Sequence, residues 1–109
     1  MKSLKQQRDI LMKSKRTLAL EFSSEAKEEI LNRDKGCILC GSNKFLTYAH
    51  YISRAKGGLG IARNGVMLCM RCHDLCDHSI ERNEILDKIR GYLKGKYPEW
   101  NEEELRYKK

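Results

Sequence analysis

The apolar positions change period several times along the chain, and each change marks an element. In SSEAKEEILNRDKG, Ala26, Ile30 and Leu31 recur at helical spacing, Ser24 stands where an N-cap belongs, Glu25 falls in the first turn and Gly36 at the stop. A short helix is predicted there. FLTYAHYI alternates instead: Phe45, Thr47, Ala49 and Tyr51 fall on one face, Leu46, Tyr48, His50 and Ile52 on the other, and this predicts a strand over 45–52. SRAKGGLGIARNG is polar, basic and broken by glycines, hence a loop, and VMLC gives a second short strand. Helical pattern resumes at about Arg71 and runs to about Ser79. A longer helix follows in ERNEILDKIRGYLKGKY, where Ile85, Ile89 and Leu93 fall at steps of four with Leu86 beside them, and Pro98, the only proline, ends it. Asn101 with Glu104 behind it predicts one last helical turn.

Charge divides the chain further. Residues 1–20 carry Lys2, Lys5, Arg8, Lys13, Lys15 and Arg16 against one acid, Asp9, which reads as a basic helical arm over 1–21. All five cysteines and all three histidines lie between Cys37 and His78, so the chemistry belongs to a core over 22–79, followed by a helical extension over 80–109. The fold class implied is α+β. A chain of 109 residues fits one small domain, able to bury roughly two thirds of its unfolded surface, and such a thin core benefits from a staple. Lys plus Arg outnumber Asp plus Glu by 22 to 15, a net charge of +7. That balance suits a polyanionic partner such as DNA, with ordinary solubility charge as the plain alternative. No apolar run approaches the roughly 20 residues needed to span a bilayer. The N-terminus MKSLKQQRDILMKSKR also lacks the h-region and cleavage site of a signal peptide. No membrane partner is expected, and a cytoplasmic location is, where cysteines bind metal more often than they pair.

Cys37-x-x-Cys40 and Cys69-x-x-Cys72 form two pairs with 28 residues, 41 to 68, between them. Each short pair offers two sulfurs from one knuckle, and two knuckles complete a tetrahedral Zn²⁺ shell. Gly41, directly after Cys40, suits the turn that such a knuckle leaves behind. Cys76 lies one helical turn beyond Cys72 and is read as a small buried residue, with substitution for another zinc ligand as the second reading.

Between and after the knuckles stand His50 on the first strand, the pair Gly57 and Gly58, Asn64, and LC-x-x-CH ending in His73, preceded by NRDKGCILCG. Over roughly residues 22–78 this resembles the zinc-bearing branch of the HNH nucleases. The resemblance implies a ββα-metal, treble-clef-like finger with a four-cysteine structural zinc, flanked by N- and C-terminal helices, and an enzyme that hydrolyses DNA phosphodiester bonds. It implies His50 as the general base, Asn64 as the residue that braces the loop and orients that base, and His73 as a catalytic and metal-binding residue. The family includes small phage and prophage proteins that act beside DNA-packaging machinery, so phage packaging proteins become candidate partners and a bacterial or phage-infected cell the expected setting.

The residues support that chemistry in their own right. A histidine with an ordinary pKa near 6.5 is poised to take a proton from water near neutral pH. On a helix, an advance of four residues ends about 40° past a full turn and one of five about 140° past it. Asp77 therefore shares a face with His73 and can join it in holding Mg²⁺, Mn²⁺ or another divalent ion, whereas His78 and Asp74 are expected to be solvated. Arg54, Lys56 and Arg63 are the expected phosphate contacts. One departure from the family stands at Ala49, where an aspartate or histidine that binds the catalytic metal is common. A non-catalytic zinc module that binds nucleic acid or protein is the alternative, with Ala49 its best support. A zinc nucleobase deaminase is excluded by the missing H-x-E and P-C-x-x-C signature, since Tyr51 and Ile52 follow His50.

Overall fold

The structure, a computed structural model, describes residues 14–108. Most of the basic arm therefore lies outside the described residues, apart from helix α1 (Lys15–Leu20), capped by the Ser14 hydroxyl at the Thr17 amide. Helix α2 (Ser24–Asp34) is capped not by Ser24 but by Ser23, whose hydroxyl accepts from the Ala26 amide at 3.1 Å. It ends one residue earlier than Gly36 suggested, because Lys35 itself takes the left-handed conformation, φ 61°, and closes the last turn onto the Leu31 carbonyl.

Strand β1 (Leu46–His50) pairs antiparallel with β2 (Gly65–Cys69), from Leu46 opposite Cys69 to His50 opposite Gly65. β1 is shorter than the alternation over 45–52 predicted. At one end Phe45 leaves the extended region at φ 55° while its carbonyl accepts from the Met70 amide. At the other, the Asn64 side chain takes both the amide and the carbonyl of Ile52. Helices α3 (Met70–His78) and α4 (Arg82–Lys96) follow, and Ile85, Ile89 and Leu93 are the buried face of α4, as their spacing predicted. The loop and the C-terminal segment carry short 3-10 turns at Arg54–Lys56, Ala62–Asn64 and Glu102–Leu105. The architecture is a small α+β one, and no described helix is long and apolar enough to cross a membrane.

The period-two strands sort their side chains to the two faces of this hairpin. Ala49, Val66 and Leu68 join Cys76, Ile85, Ile89 and Leu93 under α3 and α4, while Met67 packs with Ile30, Ala62 and the ring of Phe22 under α2. Burying an aliphatic side chain such as Ile30, Ile89 or Leu93 completely stabilises by about 1.5–3 kcal/mol. One polar cluster crosses the fold. The Asp34 carboxylate, fully buried, accepts from the Arg33 guanidinium, the Met67 amide at 2.8 Å and the Tyr92 hydroxyl. Arg33 in turn donates to the carbonyls of Ala62 at 2.9 Å and Gly65 at 2.7 Å. Two adjacent residues at the end of α2 thereby fix β2, the loop before it and α4.

Candidate metal and catalytic site

The two knuckles meet at the far end of the hairpin from His50. The ligand atoms of Cys37, Cys40, Cys69 and Cys72 all lie within 4.8 Å of one another, a group that can hold a metal ion such as Zn²⁺. Local backbone geometry builds it. The Gly41 amide closes the first knuckle onto the Cys37 carbonyl at 2.9 Å, with Gly41 at φ 78°, where a side chain would be strained. The second knuckle is the strand-to-helix junction, where Cys69 acts as N-cap of α3 and its sulfur accepts from the Cys72 amide at 3.4 Å. Burial pushes the Cys37 thiol up, but backbone hydrogen bonds at Cys69, Cys40 and Leu39 outweigh it and hold the group at about 7. Cys72 goes the other way: burial, then the neighbouring sulfurs of Cys69, Cys37 and Cys40, push it well up. Four sulfurs this close cannot all ionise without a cation among them. Cys76 is buried in the apolar core and does not belong to the quartet.

At the His50 end, an open cleft of about 650 Å³ brings together Phe22, Lys27, His50, Arg54, His73 and Asp77. His50 Nε2 lies 2.7 Å from the Leu20 carbonyl. A carbonyl can only accept, so Nε2 carries the proton and the lone pair is left at Nδ1. The Phe22 ring stacks on the imidazole at 4.1 Å between centroids. Burial lowers the pKa of His50 below its ordinary value; the Leu20 carbonyl works against this, and Arg54 and His73 add to it.

His73 is held through its other ring nitrogen. The Thr47 hydroxyl donates to the Leu68 carbonyl at 2.8 Å, so toward His73 Nδ1, 2.7 Å away, its oxygen can only accept. Nδ1 therefore carries a proton, and Nε2 faces Asp77 Oδ2 at 3.4 Å. A lone pair facing a carboxylate oxygen is an unfavourable pair unless a proton or a cation lies between them, and imidazole nitrogen with carboxylate oxygen suits a divalent ion. His78 and Asp74 are exposed on other faces of α3.

Asn64, fully buried, spends its side chain on the backbone of the loop: Oδ1 accepts from the Ile52 amide at 2.8 Å, and Nδ2 donates to the carbonyls of Ile52 and Leu59. Gly58 makes that closure possible, since a Cβ there would stand 1.7 Å from the Ile52 carbonyl oxygen. The basic residues separate. Arg54 lines the cleft, Lys56 lines a neighbouring one, and Arg63, expected beside them, instead sets its guanidinium 5.3 Å from the centre of the Tyr97 ring. Ala49 is buried on the Thr47 side of β1, packed among apolar neighbours. Sequence reasoning missed Thr47, the Leu20 carbonyl, Phe22 and Lys27. Of these only Thr47 carried a signal, an isolated hydroxyl on the buried side of a strand. No protein-family model matches this chain, and no curated protein matches it.

Proposed function

We propose that the chain is a metal-dependent endonuclease of the HNH type that hydrolyses phosphodiester bonds in DNA. One observation carries this reading: two histidines line one cleft and are anchored through opposite ring nitrogens, His50 through Nε2 on the Leu20 carbonyl and His73 through Nδ1 on Thr47, which leaves His50 Nδ1 free and sets His73 Nε2 beside Asp77. A base and a cation ligand are thereby kept apart in role within one site. His50 Nδ1 takes the proton of the attacking water, and its Nε2–H stays on the Leu20 carbonyl, which holds the ring in register as it becomes cationic. Arg54 and Lys27 bind and orient the phosphate, while Asn64 fixes the loop that presents Arg54. His73 and Asp77 are the residues that would hold a divalent ion, which when bound neutralises charge on the phosphate and the leaving oxygen.

The order hairpin then helix, β1–β2–α3, with cysteines at both knuckles, supports assignment as a ββα-metal finger whose quartet binds structural Zn²⁺. The test is nicking of supercoiled plasmid in Mg²⁺ or Mn²⁺. Wild type is expected to nick, His50→Ala to lose at least about 100-fold in rate, and Asp77→Ala to lose metal-dependent nicking with the four-cysteine metal content unchanged. Wild-type protein that binds DNA but never nicks it would instead support a non-catalytic zinc module. The burial of Ala49, where the family commonly has a metal ligand, is the observation that favours that second reading.

A further inference from the structure

The cleft that holds His50 abuts a second, smaller one, of about 150 Å³, and Ser53 lines both. Three cations from three distant parts of the chain line the second: Lys56 from the loop, Arg82 from the start of α4, and Arg106 from the C-terminal segment. Their meeting is built by backbone pairing. Arg106 forms a β-bridge with Gly58, flanked by the Leu59 amide on the Leu105 carbonyl and the Tyr107 amide on the Gly57 carbonyl, each at 2.8 Å, and Leu105 anchors the segment in the core.

The charges in this cleft are not balanced. Its one carboxylate, Glu102, is engaged by the Tyr51 hydroxyl at 2.6 Å and by Arg90 at 3.1 Å. Arg82 is held by the Cys76 carbonyl at 2.9 Å and lies 3.8 Å from Asp77, which ties the second cleft to the candidate cation ligands of the first. Among the described residues, no carboxylate forms an ion pair with Lys56 or Arg106. Lys56 and Arg106, which have no such partner among the described residues, repel each other and gain from an anion in the recess. A free phosphate or a nucleotide would fill one recess alone. Two recesses joined at Ser53, the first carrying Lys27 and Arg54 beside the carboxylates of Glu21 and Asp77 and the second carrying Lys56, Arg82 and Arg106, match a ligand with phosphates repeated along a strand.

We infer that this second cleft seats a phosphate of the same DNA strand adjacent to the one presented to His50, so that Lys56, Arg82 and Arg106 set the direction in which the strand leaves the site. This rests on the nuclease reading for the first phosphate, but the grip itself can be measured without hydrolysis.

The experiment follows fluorescence anisotropy of a labelled DNA duplex across a salt series, using full-length His50→Ala protein so that nothing is cut. Lys56→Gln and Arg106→Gln are each expected to weaken binding and to lower the slope of log affinity against log salt by about 0.9, the contribution of one neutralised phosphate. Lys96→Gln, an equal change of charge placed beside Tyr92 and outside both clefts, is expected to leave the slope unaltered. In an otherwise wild-type chain, Arg106→Gln should raise KM for nicking and leave kcat within about twofold. Unchanged slopes for both Lys56→Gln and Arg106→Gln, or an equal loss in Lys96→Gln, would overturn the inference. Slopes that fall as expected in a protein that never nicks would uphold this cleft and reject the nuclease reading. Wild-type protein that fails to bind DNA even at low salt would reject both.

Discussion

The Thr47 hydroxyl accepts the Nδ1 proton of His73 at 2.7 Å while donating its own to the Leu68 carbonyl at 2.8 Å. This relay decides which face of the His73 ring is free to bind a cation, and it runs through a residue three positions before His50 on the same strand. Thr47→Val keeps the shape and removes both hydrogen bonds. It is expected to weaken Mn²⁺ binding at His73 and Asp77 by about 10- to 100-fold, as loss of an orienting partner does in metal sites generally, whereas Thr47→Ser should retain it. Nitrogen-15 shifts of His73 give a readout independent of activity: wild type should show a protonated Nδ1, and Thr47→Val a mixture of tautomers. A wild-type ring protonated only at Nε2 would remove the basis of the assignment.

The cysteine quartet predicts a single tightly held zinc. Elemental analysis should find about one equivalent per chain, sharply reduced in Cys40→Ser and close to unchanged in Cys76→Ser, whose thiol packs in the core away from the other four. Structural zinc contributes about 10–16 kcal/mol in comparable sites, so chelation should unfold the middle of the chain cooperatively. Folded protein free of metal would contradict this.

The quartet was legible because its geometry is local: a C-x-x-C spacing fixes two sulfurs whatever the rest of the chain does. Asp77 was legible for a similar reason, since helical periodicity alone puts it over His73. Thr47 was not, because its role depends on how β1 packs against α3, and strand alternation gives its side but not its partner. The Leu20 carbonyl is invisible in principle, as every residue but its neighbours offers the same group. Arg63 stands apart from Arg54 and Lys56 because nearness in sequence says nothing about the 3-10 turn at Ala62–Asn64 that carries it to Tyr97. The ends of α2 and β1 moved by a residue or two where a neighbouring serine, a left-handed lysine or the Asn64 side chain offered the backbone a better partner.

Asp34 and Arg33 give a prediction about stability rather than chemistry. Asp34→Asn keeps the shape but leaves the Arg33 guanidinium buried against the Ala62 and Gly65 carbonyls without its counter-charge. Breaking a buried pair in this way costs about 3–5 kcal/mol, and urea unfolding should show it as a lower midpoint at similar slope. Because Met67 donates to the same carboxylate, the loss should also loosen β2 beside Cys69. A change below about 0.5 kcal/mol would show that solvent compensates the guanidinium.

On the proposed nuclease reading, His50 sets the pH dependence of nicking. Its pKa lies below 6.5, chiefly through burial, so the neutral base is present at pH values where an exposed histidine is already protonated. The nicking rate should rise with pH and reach half its plateau below 6.5. Phe22→Ala uncovers the ring and should move that midpoint upward. The same shift affects stability. The unfolded chain binds the proton more tightly than the folded one, so this contribution is fully present above 6.5 and is lost as pH falls through the folded pKa. His50→Gln should flatten that part of the stability profile. A midpoint above 6.5 in wild type, unmoved by Phe22→Ala, would exclude His50 as the group being titrated.

Ala49 offers the most demanding test. It lies on the side of β1 that also carries Thr47, facing α3, and is only 3% exposed. A carboxylate placed there meets apolar side chains such as Val66 and Leu93 and at most the weak thiol donor of Cys76, so in the presence of chelator Ala49→Asp is expected to destabilise by at least about 2 kcal/mol. The same position is on the side of the sheet from which Thr47 reaches His73. If a cation bound there is within reach of the new carboxylate, Mn²⁺ should restore much of the lost stability and raise the melting temperature of Ala49→Asp by more than it raises that of wild type. Ala49→Asn, similar in size but without the charge, separates the two effects: it should be destabilised and gain much less from Mn²⁺. Equal metal responses in wild type, Ala49→Asp and Ala49→Asn would mean that position 49 belongs to the core alone, and that any ion at His73 and Asp77 depends on those two side chains and the substrate phosphate.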